Sequence, residues 1–408
     1  MPPHPRHPRH PRYESLDAWR GVACLSVVVF HSTFGYVVTP ATKAETLLHG
    51  GTLLEWLATA TAYLWVGVPL FFVISGYCIA ASADAARRRP APVGRFFVRR
   101  FRRIYPPLWA FLAFAALGVW LVPDSAMPGP HDGFARPMPY PHELGWVNWV
   151  GAGTLTEEWR HHFGGPPRAY MTGQLWTLCY EEQFYLIAGL LLLFVPRWFF
   201  AGVAAVSALV ALNLFALPTV AGFDLNCLRL PLSGFFFDGL WLAFAAGVAV
   251  YYRVNYATAP GRLSLDLLLA GGAMSALGGI PVWAEFPQGV PAYLVTAFAF
   301  ALLLGGLHRF DALIAHLRVL APLRWCGVRC YSLYLVHGPV VLLLKWNLYR
   351  LGVTSNAGTL LVTVPACLTA ALIPSALFHR WVEARFVSRS PSPPTRSGAA
   401  SGADAARL

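Results

Sequence analysis

Apolar runs of near-constant length recur along this chain, near residues 19–39, 61–82, 105–122, 175–195, 198–217, 233–252, 264–283, 291–307, 331–350 and 358–378. Each approaches the roughly 20 residues that a helix needs to cross about 30 Å of hydrocarbon. Composition points the same way. Of 408 residues, 56% are apolar and only 12% are charged, whereas a soluble domain carries about 25% charged residues. Trp109, Trp146, Trp198, Trp325 and Trp381 stand at the ends of runs, where an amphipathic ring favours the headgroup layer. The sequence therefore predicts an all-α polytopic protein, a bundle of about ten transmembrane helices in the cell (inner or plasma) membrane.

The formal charge of +12 invites a nucleic-acid reading, which the distribution of charge removes. With the N-terminus placed in the cytoplasm, 23 of the 31 Lys and Arg fall in the tails and cytoplasmic loops, six fall outside, and Arg20 and Lys345 lie within runs. Eight of the inside set lie between Arg87 and Arg103. This is the positive-inside asymmetry, and it predicts both termini in the cytoplasm. The first run lacks an A-x-A site and contains His31, so it reads as a retained span rather than a cleaved signal. Seven cysteines are scattered singly, and no metal or disulfide is inferred from them.

Residues 1–15, with their HPR repeat, and residues 387–408, rich in Ser, Pro, Ala and Gly, read as disordered cytoplasmic tails. Neither can bury enough apolar surface to offset its ordering entropy. Between them, 16–386 reads as one membrane domain with a single long outer loop, 123–172. That loop, with His131, His142, His161, His162, Glu157 and Glu158, is expected to form a solvated, partly helical lid. There is no internal repeat of the kind many secondary transporters carry.

An ionisable group within a span costs at least ~2.5–3.5 kcal/mol on insertion scales and is a functional candidate by default. The first run carries Asp17, Arg20 and His31. Eleven residues at 100° each return Arg20 and His31 to within about 20° of one face, with a rise of about 16 Å. Asp17, one turn before Arg20, can orient it. The third run opens with "RFFVRRFRRIYPPLW". Arg100 and Arg103 lie one turn apart at a helix start, where guanidinium forks and free N–H groups both suit phosphate. Glu181 and Glu182 point about 100° apart, so one is expected inside the bundle and the other on a local partner. The string "CYSLYLVHGPVV" places His337 about two turns into the ninth run, with Tyr331, Ser332 and Tyr334 nearby.

Five strings in this order, "LDAWRGVACLSVVVFH", "LFFVISGYCIA", "RFFVRRFRRIYPPLW", "LWTLCYEEQFYL" and "CYSLYLVHGPVV", resemble the integral-membrane acyltransferase-3 family across residues 16–341. The resemblance implies ten core helices and acyl transfer, commonly of acetyl from acetyl-CoA. The acceptor would be a hydroxyl of a sugar, glycolipid, cell-envelope polymer or macrolide-type molecule. The family's Arg-x10-His motif falls on Arg20 and His31, and its R-x-x-R motif on Arg100 and Arg103. Its W-S-L-x-x-E motif falls on Trp176, Thr177, Leu178 and Glu181, with Thr for Ser, and Cys330 stands where Ser is common before Tyr331. Some members carry a further extracytoplasmic domain after the bundle. Here a separate extracytoplasmic partner protein is the expected alternative.

On this reading Arg20, Arg100 and Arg103 bind the phosphates of acyl-CoA, a co-substrate rather than a resident cofactor. His31 is the catalytic base or an acyl carrier, and Glu181 orients it, binds the acceptor or relays the proton. Asp17, Trp176, Tyr185, Tyr334 and His337 are acceptor or supporting residues. No metal is needed, because a thioester is already activated. Two other functions fit a charged interior. A glycolipid or small-molecule transporter or flippase would move substrate without an acyl donor, and a structural or sensory protein would use the charges only to pair helices.

Overall fold

The computed structural model describes residues 13–88, 92–123, 126–127, 138–216, 234–278 and 289–386. Residues 1–12 and 387–408, which hold most of both expected tails, and His131 lie outside the described residues. Ten helices carry the ten apolar runs: α1 (Leu16–Thr33), α2 (Gly67–Arg87), α3 (Pro92–Leu121), α4 (Trp176–Phe194), α5 (Phe199–Ala211), α6 (Leu240–Asn255), α7 (Ala259–Gly278), α8 (Val290–Leu307), α9 (Cys330–Arg350) and α10 (Val364–Phe378). Among the described residues there is no β-strand, only a bridge between Phe34 and Val38.

Among the described residues, six helical stretches are long and apolar enough to cross a membrane: Leu53–Arg87, Val93–Leu121, Gly173–Phe194, Pro196–Leu214, Val290–His316 and Asn356–Phe386. A seventh results if Arg318–Val328 and Cys330–Arg350, bent by 74°, count as one span. α1, α6 and α7 do not pass by length and apolarity. α6 has 16 residues, about 24 Å at 1.5 Å each, and α1 contains Asp17 and Arg20 as well as His31.

Close backbone approach holds the centre. α2 crosses α6 where Gly76 faces Phe244 and Gly247 faces Val73. A Cβ on Gly76 would lie 1.9 Å from the Phe244 carbonyl oxygen, and one on Gly247 1.8 Å from that of Val73. Small residues allow helices to pack this closely where hydrophobic burial supplies little drive. The same helix pair is joined at one end by Asp84. This residue is 1% exposed and accepts from Arg87 and from the hydroxyls of Tyr251 (2.9 Å) and Tyr256 (2.6 Å). Phe184, Trp241 and Phe244 pack into one aromatic group that ties α4 to α6. Around this interior, Leu117, Trp120, Leu186, Leu193, Leu267 and Met274 are exposed, an apolar outer surface suited to lipid.

Two segments are more ordered than the sequence reading expects. The expected tail of residues 1–15 is docked from Tyr13 onward: Tyr13 is 1% exposed, its hydroxyl donates to Leu304 O (3.0 Å), and the Glu14 and Ser15 amides donate to Asp311. The outer loop is more than a solvated lid. Glu157 and Glu158 are buried; Glu157 accepts from Asn148, Arg160 and the Ala169 amide, and Glu158 from Arg168 and Tyr170. Burial, and after it neighbouring Cys179 and Glu158, push the Tyr170 hydroxyl well above its ordinary range, so it serves as a donor. Buried carboxylates need such partners, and here they fold the segment that delivers the chain to α4.

Candidate functional site

A cavity of about 320 Å³ lies inside the bundle, walled by α1, α2, α3, α4 and α9. On α1, positions 20, 24, 27 and 31 share one face, and Arg20, Cys24, Val27 and His31 all line the cavity. Arg100 and Arg103 of α3 face them, one helical turn apart. Trp176, Thr177, Glu181 and Tyr185 come from α4, and Tyr331, Tyr334 and His337 from α9. Of the ten candidate residues, nine line this one space. Asp17 does not, but it binds Arg20 at 2.6 Å.

The three arginines differ in their engagement. Arg20 also donates to Cys78 Sγ at 2.9 Å. Arg100 donates to Ser82 Oγ at 2.8 Å and lies 5.1 Å above the Tyr185 ring. Arg103 has no hydrogen bond or ion pair among the described residues, so its five donors are available. Pro106 and Pro107 sit inside α3 and cannot donate to the carbonyls of Arg102 and Arg103, a break one turn beyond the arginine pair.

Glu181 accepts from Ser75 Oγ (2.5 Å) and from the Tyr185 hydroxyl, which joins α2 to α4 across the cavity. Glu182 points away, toward the Tyr105 hydroxyl. The two adjacent carboxylates thus divide as their 100° separation requires. No hydrogen bond joins Glu181 to His31 among the described residues. The nearest cavity ring to His31 is His337, at 5.4 Å between centroids.

Tyr334 is occupied by architecture. Its hydroxyl donates to Gln174 O and accepts from Thr177 Oγ1 at 3.0 Å. The Thr at the usual Ser position therefore keeps a hydroxyl that ties α4 to α9. Sequence reading missed Ser75, Cys78 and Gln174, all cavity-lining. Gln174 lies two residues before the motif that begins at Trp176, and that proximity was the only local signal.

A helical bundle with an apolar exterior, turning three arginines, two histidines and one glutamate onto an internal cavity, is a multi-pass membrane protein with a polar intramembrane site. The acyltransferase-3 family model, described as an acyltransferase domain, matches residues 13–379, and the chain belongs to that family. Among curated relatives, it is 25% identical over 344 residues to the peptidoglycan O-acetyltransferase OatA of Listeria monocytogenes, a match covering 81% of this chain and 49% of that protein. It is 28% identical over 182 residues to BcsY of Komagataeibacter xylinus, provisionally named a membrane-bound transacylase, covering 44% of this chain and 37% of the relative. The matched region thus spans about half, or less, of the length of these relatives. No solved structure matches the chain.

Proposed function

We propose that this chain is a membrane-embedded O-acyltransferase that moves an acyl group, acetyl in the simplest case, from acyl-CoA to a hydroxyl of a cell-envelope glycan. The observation that carries the reading is the convergence of Arg20, Arg100, Arg103 and His31 on one cavity. Ten spans with both termini in the cytoplasm of a plasma-membrane protein place the arginines at the cytoplasmic end. There they meet a polyanionic donor that exists only on that side. Arg103 is the free fork for a phosphate, while Arg20 and Arg100 are held by Asp17, Cys78, Ser82 and Tyr185.

The acyl thioester extends from that end toward His31. An imidazole nitrogen takes the proton of the acceptor hydroxyl as its oxygen attacks the thioester carbon. The new C–O bond forms, the C–S bond breaks, and the imidazolium returns the proton to the departing thiolate. Glu181, hydrogen-bonded to Ser75 and Tyr185, acts on the donor or acceptor rather than by orienting His31. The envelope-glycan acceptor is favoured by the relative named for peptidoglycan O-acetylation.

The test is mass spectrometry of envelope glycans from cells with and without the gene, alongside purified protein supplied with acetyl-CoA. A mass difference of one acyl group, matched by donor consumption, is expected. Movement of a glycolipid with no donor consumed would overturn the proposal in favour of a transporter.

A further inference from the structure

The segment His337-Gly338-Pro339 on α9 builds a small recognition surface. Pro339 has no N–H, so the Leu335 carbonyl lacks its helical donor, and Gln174 Nε2 supplies one at 3.0 Å. A carbonyl only accepts, so the amide NH2 must face it, and Gln174 Oε1 is turned the other way. That oxygen lies against Gly338: a Cβ there would fall 2.3 Å from it, so the carboxamide fits because residue 338 is glycine. Oε1 makes no hydrogen bond among the described residues.

His337 is fixed by the same logic. Its Nδ1 lies 3.0 Å from Leu333 O and 2.8 Å from Tyr334 O. Both oxygens are acceptors, so Nδ1 carries the proton and Nε2 presents a lone pair. The residue is 1% exposed, and Nε2 is buried without a partner. An unpaired acceptor buried this deeply is costly unless something arrives to fill it. Both side chains line the cavity, and the turn bearing Gln174 is pinned by Tyr334.

We infer that Gln174 Oε1 and His337 Nε2 form an acceptor subsite that receives a neutral hydroxyl donor beside the reacting hydroxyl. The inference deepens the acyl-transfer reading and rests on it for the role of the ligand. Two lone pairs repel carboxylate or phosphate and suit a polyol. A hydroxyl has one proton, so the reacting hydroxyl gives its own to His31, whose ring centroid lies 5.4 Å from that of His337. The group held by His337 and Gln174 is then a neighbouring hydroxyl. The substrate class is a vicinal diol such as a sugar ring presents.

Occupancy can be read without turnover. A cysteine introduced by Leu342→Cys, on the cavity wall, reports this end; native Cys78 and Cys330 report the arginine end. N-ethylmaleimide labelling of the full chain in lipid nanodiscs is followed by mass spectrometry. Methyl β-D-glucopyranoside should slow labelling at position 342 several-fold, and cyclohexanol at the same concentration should not. Gln174→Met and His337→Phe should each raise the sugar concentration required by roughly tenfold, the loss expected from one or two hydrogen bonds. Equal protection by sugar and cyclohexanol, no protection by sugar, or protection indifferent to both variants would overturn the subsite. Acetyl-CoA should slow labelling of Cys78 and Cys330 in every variant, which also reports an intact fold. Failure of that arm in the unsubstituted cavity, with sugar protection kept, would sink the donor reading and leave the subsite standing.

Discussion

At His31 the sequence and the structure meet most directly. Its face was legible because eleven residues is a local distance, set by helix geometry alone. His31→Ala should leave the protein folded and donor affinity intact while turnover falls about 10²–10⁴-fold, the usual cost of a lost general base. His31→Gln should be equally inactive; substantial transfer by it would mean that the residue positions substrate, and His337 or Glu181 would become the base. Arg103 offers a cleaner donor test than Arg20 or Arg100, because it has no internal partner among the described residues to disturb. Arg103→Ala should weaken acetyl-CoA binding roughly ten- to hundredfold, the range for a charge-assisted hydrogen bond. Arg103→Lys should restore only part of that, lacking the fork. Unchanged affinity in titration calorimetry would refute the assignment. What the sequence could not show were Ser75 on Glu181, Cys78 on Arg20 and Gln174 beside Gly338. These contacts join residues 58 to 164 positions apart in the chain, and no local periodicity encodes which helices meet.

The helices themselves were legible, since each of the ten apolar runs carries one, but their fitness to span was not uniform. α1 holds Arg20 and His31 because they face the cavity and not lipid, so a hydropathy criterion penalises the helix for the groups that build the site. The 74° bend before α9 and the crossing of α2 with α6 were likewise invisible, because both depend on what each helix packs against. That crossing gives a test of architecture separate from chemistry. Gly76→Ala drives a methyl toward the Phe244 carbonyl, so α2 must move, and Ser75, Cys78 and Ser82 move with it. Overpacking of this kind costs about 1–3 kcal/mol, and the melting temperature in detergent should fall. The arginine-binding contacts should loosen too, raising the KM for donor. A variant as stable as the parent would show that the two helices are not in contact through this face.

For the whole molecule, the orientation implied by the distribution of Lys and Arg is open to direct test. A reporter fused after residue 150 should be active only in an extracytoplasmic form, and cytoplasmic activity there would reverse the map. If the map holds, the arrangement along α1 has an electrical consequence. On the proposed mechanism Arg20 meets the donor phosphates near one face, about 16 Å of helix rise from the His31 imidazole, and the acyl group that passes along this path carries no charge. Moving one elementary charge across a membrane potential of 100 mV would involve about 2.3 kcal/mol, enough to make a charged transfer strongly voltage-dependent. On that proposal the phosphates would stay outside most of the field and only a neutral group would traverse it. In proteoliposomes clamped by a potassium gradient and valinomycin, the turnover rate should be the same at zero and at 100 mV of either sign. The bundle would then be an electrically silent insulator through which chemical modification, but no current, passes.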